Sequence, residues 1–146
     1  MQPIDKLDET IRDLTTYISS LSPKQLELSK REQWGAREVF IHIVFWHEQY
    51  ASITKELLKK DKPCLLTGTF KENNALAVER NKDVPIEVLI ERLQKAQAEL
   101  LPSYDKARNL RIAFKEGGKV RSYPEAIERI EQHIRSHLER LKYRYR

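Results

Sequence analysis

The chain has one cysteine, four glycines and six prolines among 146 residues. It also has no apolar run near the ~20 residues that a membrane-spanning helix needs. Each scarcity excludes a class. A lone Cys64 forms no internal disulfide, which excludes a disulfide scaffold and fits a reducing cytosol. So few glycines and prolines exclude collagen-like and low-complexity chains. No segment alternates convincingly as a strand, and no repeat recurs at a fixed period. The opening Met1-Gln2-Pro3-Ile4-Asp5 does not begin a signal peptide, so a cytoplasmic protein is expected. What is present is 40% apolar and 34% charged residues, the balance of one helix-rich domain over residues 1–146 with a charged surface.

Apolar residues then mark the helices. Ile4, Leu7, Ile11, Leu14 and Ile18 recur at three- and four-residue steps, predicting a helix from Ile4 to Leu21 that Ser22-Pro23 stops. Leu26, Leu28 and Trp34 suggest a linker lying across a core. A second helix is expected from Gly35-Ala36 to about Lys60, stopped by Lys59-Lys60-Asp61-Lys62-Pro63. Its face of Val39, Ile43, Trp46, Tyr50, Ile53 and Leu57 is widened by Phe40, Ile41, Val44 and Phe45, as for a helix packed on several sides. Phe70 to Asn81 could form a short helix with Leu76 and Val78 as its apolar residues. Asp83-Val84-Pro85 reads as a cap with Pro in the first turn, opening a helix to Leu101 that Pro102 ends or kinks. Gly117-Gly118 marks a loop, and Ser122-Tyr123-Pro124-Glu125 a capping box before the last helix. Its stripe is Ile127, Ile130, Ile134, Leu138, Leu141 and Tyr145. Four long amphipathic helices predict an all-α four-helix bundle.

The net charge is +5, and Arg135, Arg140, Lys142, Arg144 and Arg146 against Glu139 place most of it at the end of the last helix. Basic residues there complement the helix dipole. No recognition motif accompanies them, so nucleic-acid binding is not expected. An exposed apolar helix face, if one exists, would point to a homodimer.

Four histidines carry the remaining chemistry. His133 and His137 are four residues apart, one above the other on a helix face, a spacing that can grip one metal ion or arise by chance. His42 lies ~60–80° from the centre of the second helix's stripe, and His47 about 140° round from it. His42 therefore serves either as a third ligand or as a hydrogen-bonded core residue, and His47 as a partly exposed structural or surface residue outside any such site. His133-Ile134-Arg135-Ser136-His137 lacks the Glu that follows the first histidine in zinc proteases, which sets protease chemistry aside. Glu38, one turn before His42, either orients the free ring nitrogen of His42 or pairs with Arg37 or a solvated Lys. Tyr50 reads as core packing more than as a catalytic phenol, and Cys64 as a plain small residue.

The stretch from Trp34 through Gly35-Ala36-Arg37-Glu38 and His42 to Trp46 resembles the second-helix signature of the DinB/YfiT-like superfamily. The His133/His137 pair matches its other hallmark, and Asn73 through Leu101 is similar to the third-helix region of its ClbS/DfsB branch. The resemblance spans nearly the whole chain in element order, with the specific residues confined to the second helix and the histidines. It implies a four-helix bundle in which His42, His133 and His137 hold a divalent metal ion. Imidazole ligands favour zinc or nickel, and because the ligands must be neutral, binding should weaken below about pH 6. The resemblance also implies thiol transfer or isomerisation with a low-molecular-weight thiol, or hydrolytic detoxification, of a reactive small-molecule substrate. The competing expectation is a non-catalytic, stress-associated or binding bundle whose histidines are structural.

Overall fold

A computed structural model describes residues 1–30, 33–59 and 62–145 of the chain. Lys60 and Asp61, which bear on the expected end of the second helix, and Arg146 of the basic terminus lie outside the described residues. Four long helices, α1 (Pro3–Ser20), α2 (Ala36–Leu58), α4 (Ile86–Ala107) and α5 (Tyr123–Arg144), make an all-α bundle, with a short α3 (Phe70–Asn81) beside it. The main packing pairs are α2 with α4 and α1 with α5, while α3 leans on α2. Ile11, Leu14, Phe40, Ile53, Leu93, Leu100, Ile127 and Leu138 are all buried in one apolar cluster that joins the four long helices.

Three expectations change. α4 begins at Ile86 with Pro85 as its cap residue, and no side chain caps it. The Pro85 carbonyl instead accepts from the Val88 and Leu89 amides, so Asp83 is not the cap. Pro102 does not end the helix, which runs on to Ala107. Tyr104 and Ala107 beyond it are buried, and that packing outweighs the hydrogen bond lost at Pro102. Finally, a minimal antiparallel ribbon, β1 (Arg111–Ile112) and β2 (Arg121–Ser122), pairs Arg111 with Ser122 and Ile112 with Arg121. Two residues per strand are too few to show alternation.

Elsewhere the local signals match the elements. Ser122 Oγ accepts from the Glu125 amide at the start of α5, with Pro124 in the first turn. Leu26 and Trp34 pack against the core, whereas Leu28 is exposed. No helix among the described residues is long and apolar enough to cross a membrane.

Candidate metal centre

The start of α2 sets the position of the first histidine. The carboxylate of Glu38 accepts from the Gly35 amide at 2.8 Å and also from the Ser29 amide. The Ala36 amide donates to the Tyr145 hydroxyl at 3.1 Å. A Cβ on Gly35 would stand only 3.2 Å from Glu38 Oε2 and 3.3 Å from that hydroxyl, so glycine lets this turn close. Glu38 is thereby committed to ordering the helix start, and among the described residues no hydrogen bond joins it to His42, whose ring nitrogens face Asn74 and His133. Arg37 is engaged apart from it, donating to the carbonyls of Leu26 and Val84.

His42 takes its orientation from Asn74 on α3. Trp46 Nε1 donates to Asn74 Oδ1 at 2.6 Å, and His42 Nδ1 stands 3.0 Å from the same oxygen. An indole nitrogen only donates, so the amide must present its oxygen, and an oxygen acceptor requires the proton on His42 Nδ1. That leaves His42 Nε2 with a free lone pair. This nitrogen lies 3.4 Å from His133 Nε2, which lies 3.1 Å from His137 Nε2. One ring nitrogen from each histidine is within 4.8 Å of the other two.

The donor set fits a divalent ion. Nitrogens bound at ~2.1 Å are separated by about 3.0 Å at right angles and about 3.4 Å in a tetrahedron. Three imidazoles are borderline donors suited to zinc or nickel. His42 is buried, His137 half-buried and His133 exposed, so the point where they meet is open on one side. Burial pushes His42 down to about 4 despite the opposing bond from Asn74, with His133 adding to the fall. His137 is also lowered to about 4, by partial burial and then by His133, His42 and Arg140. Partial enclosure and Arg140 lower His133 as well. The neutral, ligating forms thus extend further into the acid range than the ordinary histidine value implies.

A cavity of about 470 Å³ covers the three rings, walled by Trp34, Trp46, Tyr50, Phe70 and Asn74. Trp34 lies 5.4 Å from the His42 ring. Burial raises the Tyr50 phenol, which stays protonated. His47 is on the opposite flank of α2, but fully buried. Its Nε2 donates to Gln97 Oε1 at 2.8 Å, and its Nδ1 has no partner. The expected partly exposed residue is in the core because α4 packs on that flank. Cys64 is exposed, away from the cavity.

No family model and no curated protein matches the chain. Among solved structures, the crystal structure of the mycothiol-dependent maleylpyruvate isomerase superposes on 92% of this chain with a TM-score of 0.73 at 11% identity. The two share a fold. The chain spans 57% of that structure's length, and at this identity the likeness concerns the helical bundle alone.

Asn74 is the residue of this candidate site that the sequence does not yield. Its only signal was a polar side chain one turn after Phe70 on a helix with a weak apolar pattern.

Proposed function

We propose that this protein is a metal-dependent enzyme of the DinB/YfiT-like kind, acting on a small electrophile with a low-molecular-weight thiol or water as nucleophile. His42, His133 and His137 would hold the ion, zinc or nickel by donor type. Such an ion, when bound, lowers the pKa of a coordinated thiol or water and polarises an electrophile. The observation that carries the reading is the His42 tautomer. Asn74 and Trp46 together force the His42 proton onto Nδ1 and aim the lone pair of Nε2 at the other two imidazoles. His47, the histidine that packs the core, has its proton fixed by Gln97 in the same way, but its free Nδ1 faces no partner.

The rest of the chain supplies surroundings. Trp34, Trp46 and Phe70 exclude water from the inner wall, and Tyr50 keeps its proton on the wall as a potential hydrogen-bond donor. The exposed edge at His133 admits the substrate. The thiol-dependent isomerase that shares this fold makes a thiol-assisted reaction the first activity to assay.

The test is metal content of untagged protein by plasma mass spectrometry, followed by thiol-transfer assays on the metal-loaded form. One zinc or nickel per chain is expected, lost on His133→Gln or His137→Gln and retained on His47→Gln. A metal-free protein that takes up neither ion, at equal stability, would instead identify a bundle with structural histidines.

A further inference from the structure

The cavity over the histidines adjoins a second one of about 250 Å³ beneath the β1–β2 ribbon, and Trp46, Tyr50, Phe70 and His133 line both. The floor of the second is apolar, formed by Ile112, Phe114, Ala126 and Ile130. Its rim is the opposite. Lys115, Lys119, Arg121 and Arg129 line it, and no acidic residue does.

Charge compensation within the fold is thin. Glu125 stands 3.7 Å from Arg121 Nε and 3.8 Å from Arg129 Nε, both too long for a hydrogen bond. Lys115 Nζ lies 5.2 Å above the Phe70 ring. Arg121 Nε is buried with no hydrogen-bond partner, an arrangement a protein normally avoids because a buried donor has lost its water. A concave site with an apolar floor and a rim of four cations suits an amphipathic anion.

We infer that this second cavity holds the charged end of the substrate, and that the substrate is an organic carboxylate with an apolar body of about one ring. The carboxylate engages Arg121 and Arg129, whose forked donors match its two oxygens. The body lies on Ile112, Phe114 and Ile130, and the far end reaches His133, the side chain common to both cavities. The inference rests on the metal-dependent reading for what happens at that far end, and on the second cavity alone for binding.

The probes are 3-phenylpropanoate, its neutral amide and inorganic phosphate, titrated into the full chain and followed by amide NMR shifts at Ile112, Ala126 and Ile130. The zinc-free protein is used first, so that a carboxylate cannot report through the metal, and the zinc-loaded form second. The acid should bind saturably in both forms and the amide about tenfold more weakly, the usual worth of one charge-assisted contact. Phosphate at equal concentration should not displace the acid. Arg129→Gln should weaken the acid by a similar factor, whereas Lys95→Gln, outside this cavity, should not. Arg121→Gln should add to the loss, and if that variant does not fold, Arg129→Gln decides. Equal binding of acid and amide, displacement by phosphate, insensitivity to Arg129→Gln or no binding at all would each overturn the subsite. Zinc bound by the histidines with no preference for the acid sinks only this inference. Failure of zinc to bind, with the acid preference intact, sinks only the metal-dependent reading.

Discussion

Asn74 Oδ1 accepts from two donors at once, and its removal therefore has two separable effects. Asn74→Leu frees the His42 ring to change tautomer and leaves the Trp46 indole N–H without its acceptor. Loss of such an orienting partner typically weakens a metal site by about 10–100-fold, which zinc titration calorimetry should show. Asn74→Asp keeps an acceptor and should restore most of the affinity. His47 carries a different prediction. Burial lowers it to about 4 from an ordinary 6.5, against the opposing bond to Gln97. The folded protein thus keeps His47 neutral while the unfolded chain takes up a proton below pH 6.5. Stability is complete above that value and is lost as the pH falls toward 4. The loss from His47 between pH 6.5 and 5 is about 2 kcal/mol at 1.36 kcal/mol per unit. Urea unfolding of His47→Gln should show a slope over this range that is flatter by roughly that amount.

Among the elements, α4 carries the clearest cost. Pro102 sits inside it, where its ring opposes the helix and no amide is available for the Ala98 carbonyl. The position is exposed, so Pro102→Ala should raise stability by about 1–3 kcal/mol, read from the denaturant midpoint. The elements also show why some of this molecule was legible in its sequence. The stripes Ile4 to Ile18 and Ile127 to Leu141 are long enough to average out single exceptions, and the helices they predict agree with α1 and α5 to within a few residues. α3 has Ala77 as its one buried residue and Thr69 Oγ1 as its cap, so its periodicity is faint. Asn74 acquires meaning only once α3 docks on α2, and His47 only once Gln97 arrives from α4. Both depend on contacts between helices, which spacing within a helix cannot reveal. The cap expected at Asp83 failed because α4 starts at Ile86 with Pro85 in the cap position, which leaves Asp83 two residues ahead of it.

At the scale of the whole molecule, the three histidines tie α2 to α5, two helices that otherwise touch only narrowly. An ion held there would cross-link the two halves of the bundle, α2 with α4 and α1 with α5. Binding to the folded chain alone stabilises it by ~2.7 kcal/mol at a hundredfold excess over Kd. Zinc should therefore raise the Tm of the parent protein and leave that of His137→Gln unchanged in differential scanning calorimetry. Several basic residues toward the end of α5 are engaged within the fold. Arg135 bonds Glu131 and Thr10, Arg140 bonds Ser136, and Arg144 donates to the Trp34 carbonyl.

The chain contains two tryptophans, and both line the cavity above the histidines. All of the protein's indole emission therefore originates within one side chain's reach of the candidate ion, with no background from elsewhere in the bundle. Trp34 faces the His42 ring, and Trp46 shares an acceptor with it. Paramagnetic nickel would quench both emitters, diamagnetic zinc would leave their light in place, and the unlabelled protein becomes an optical gauge of what occupies its own interior.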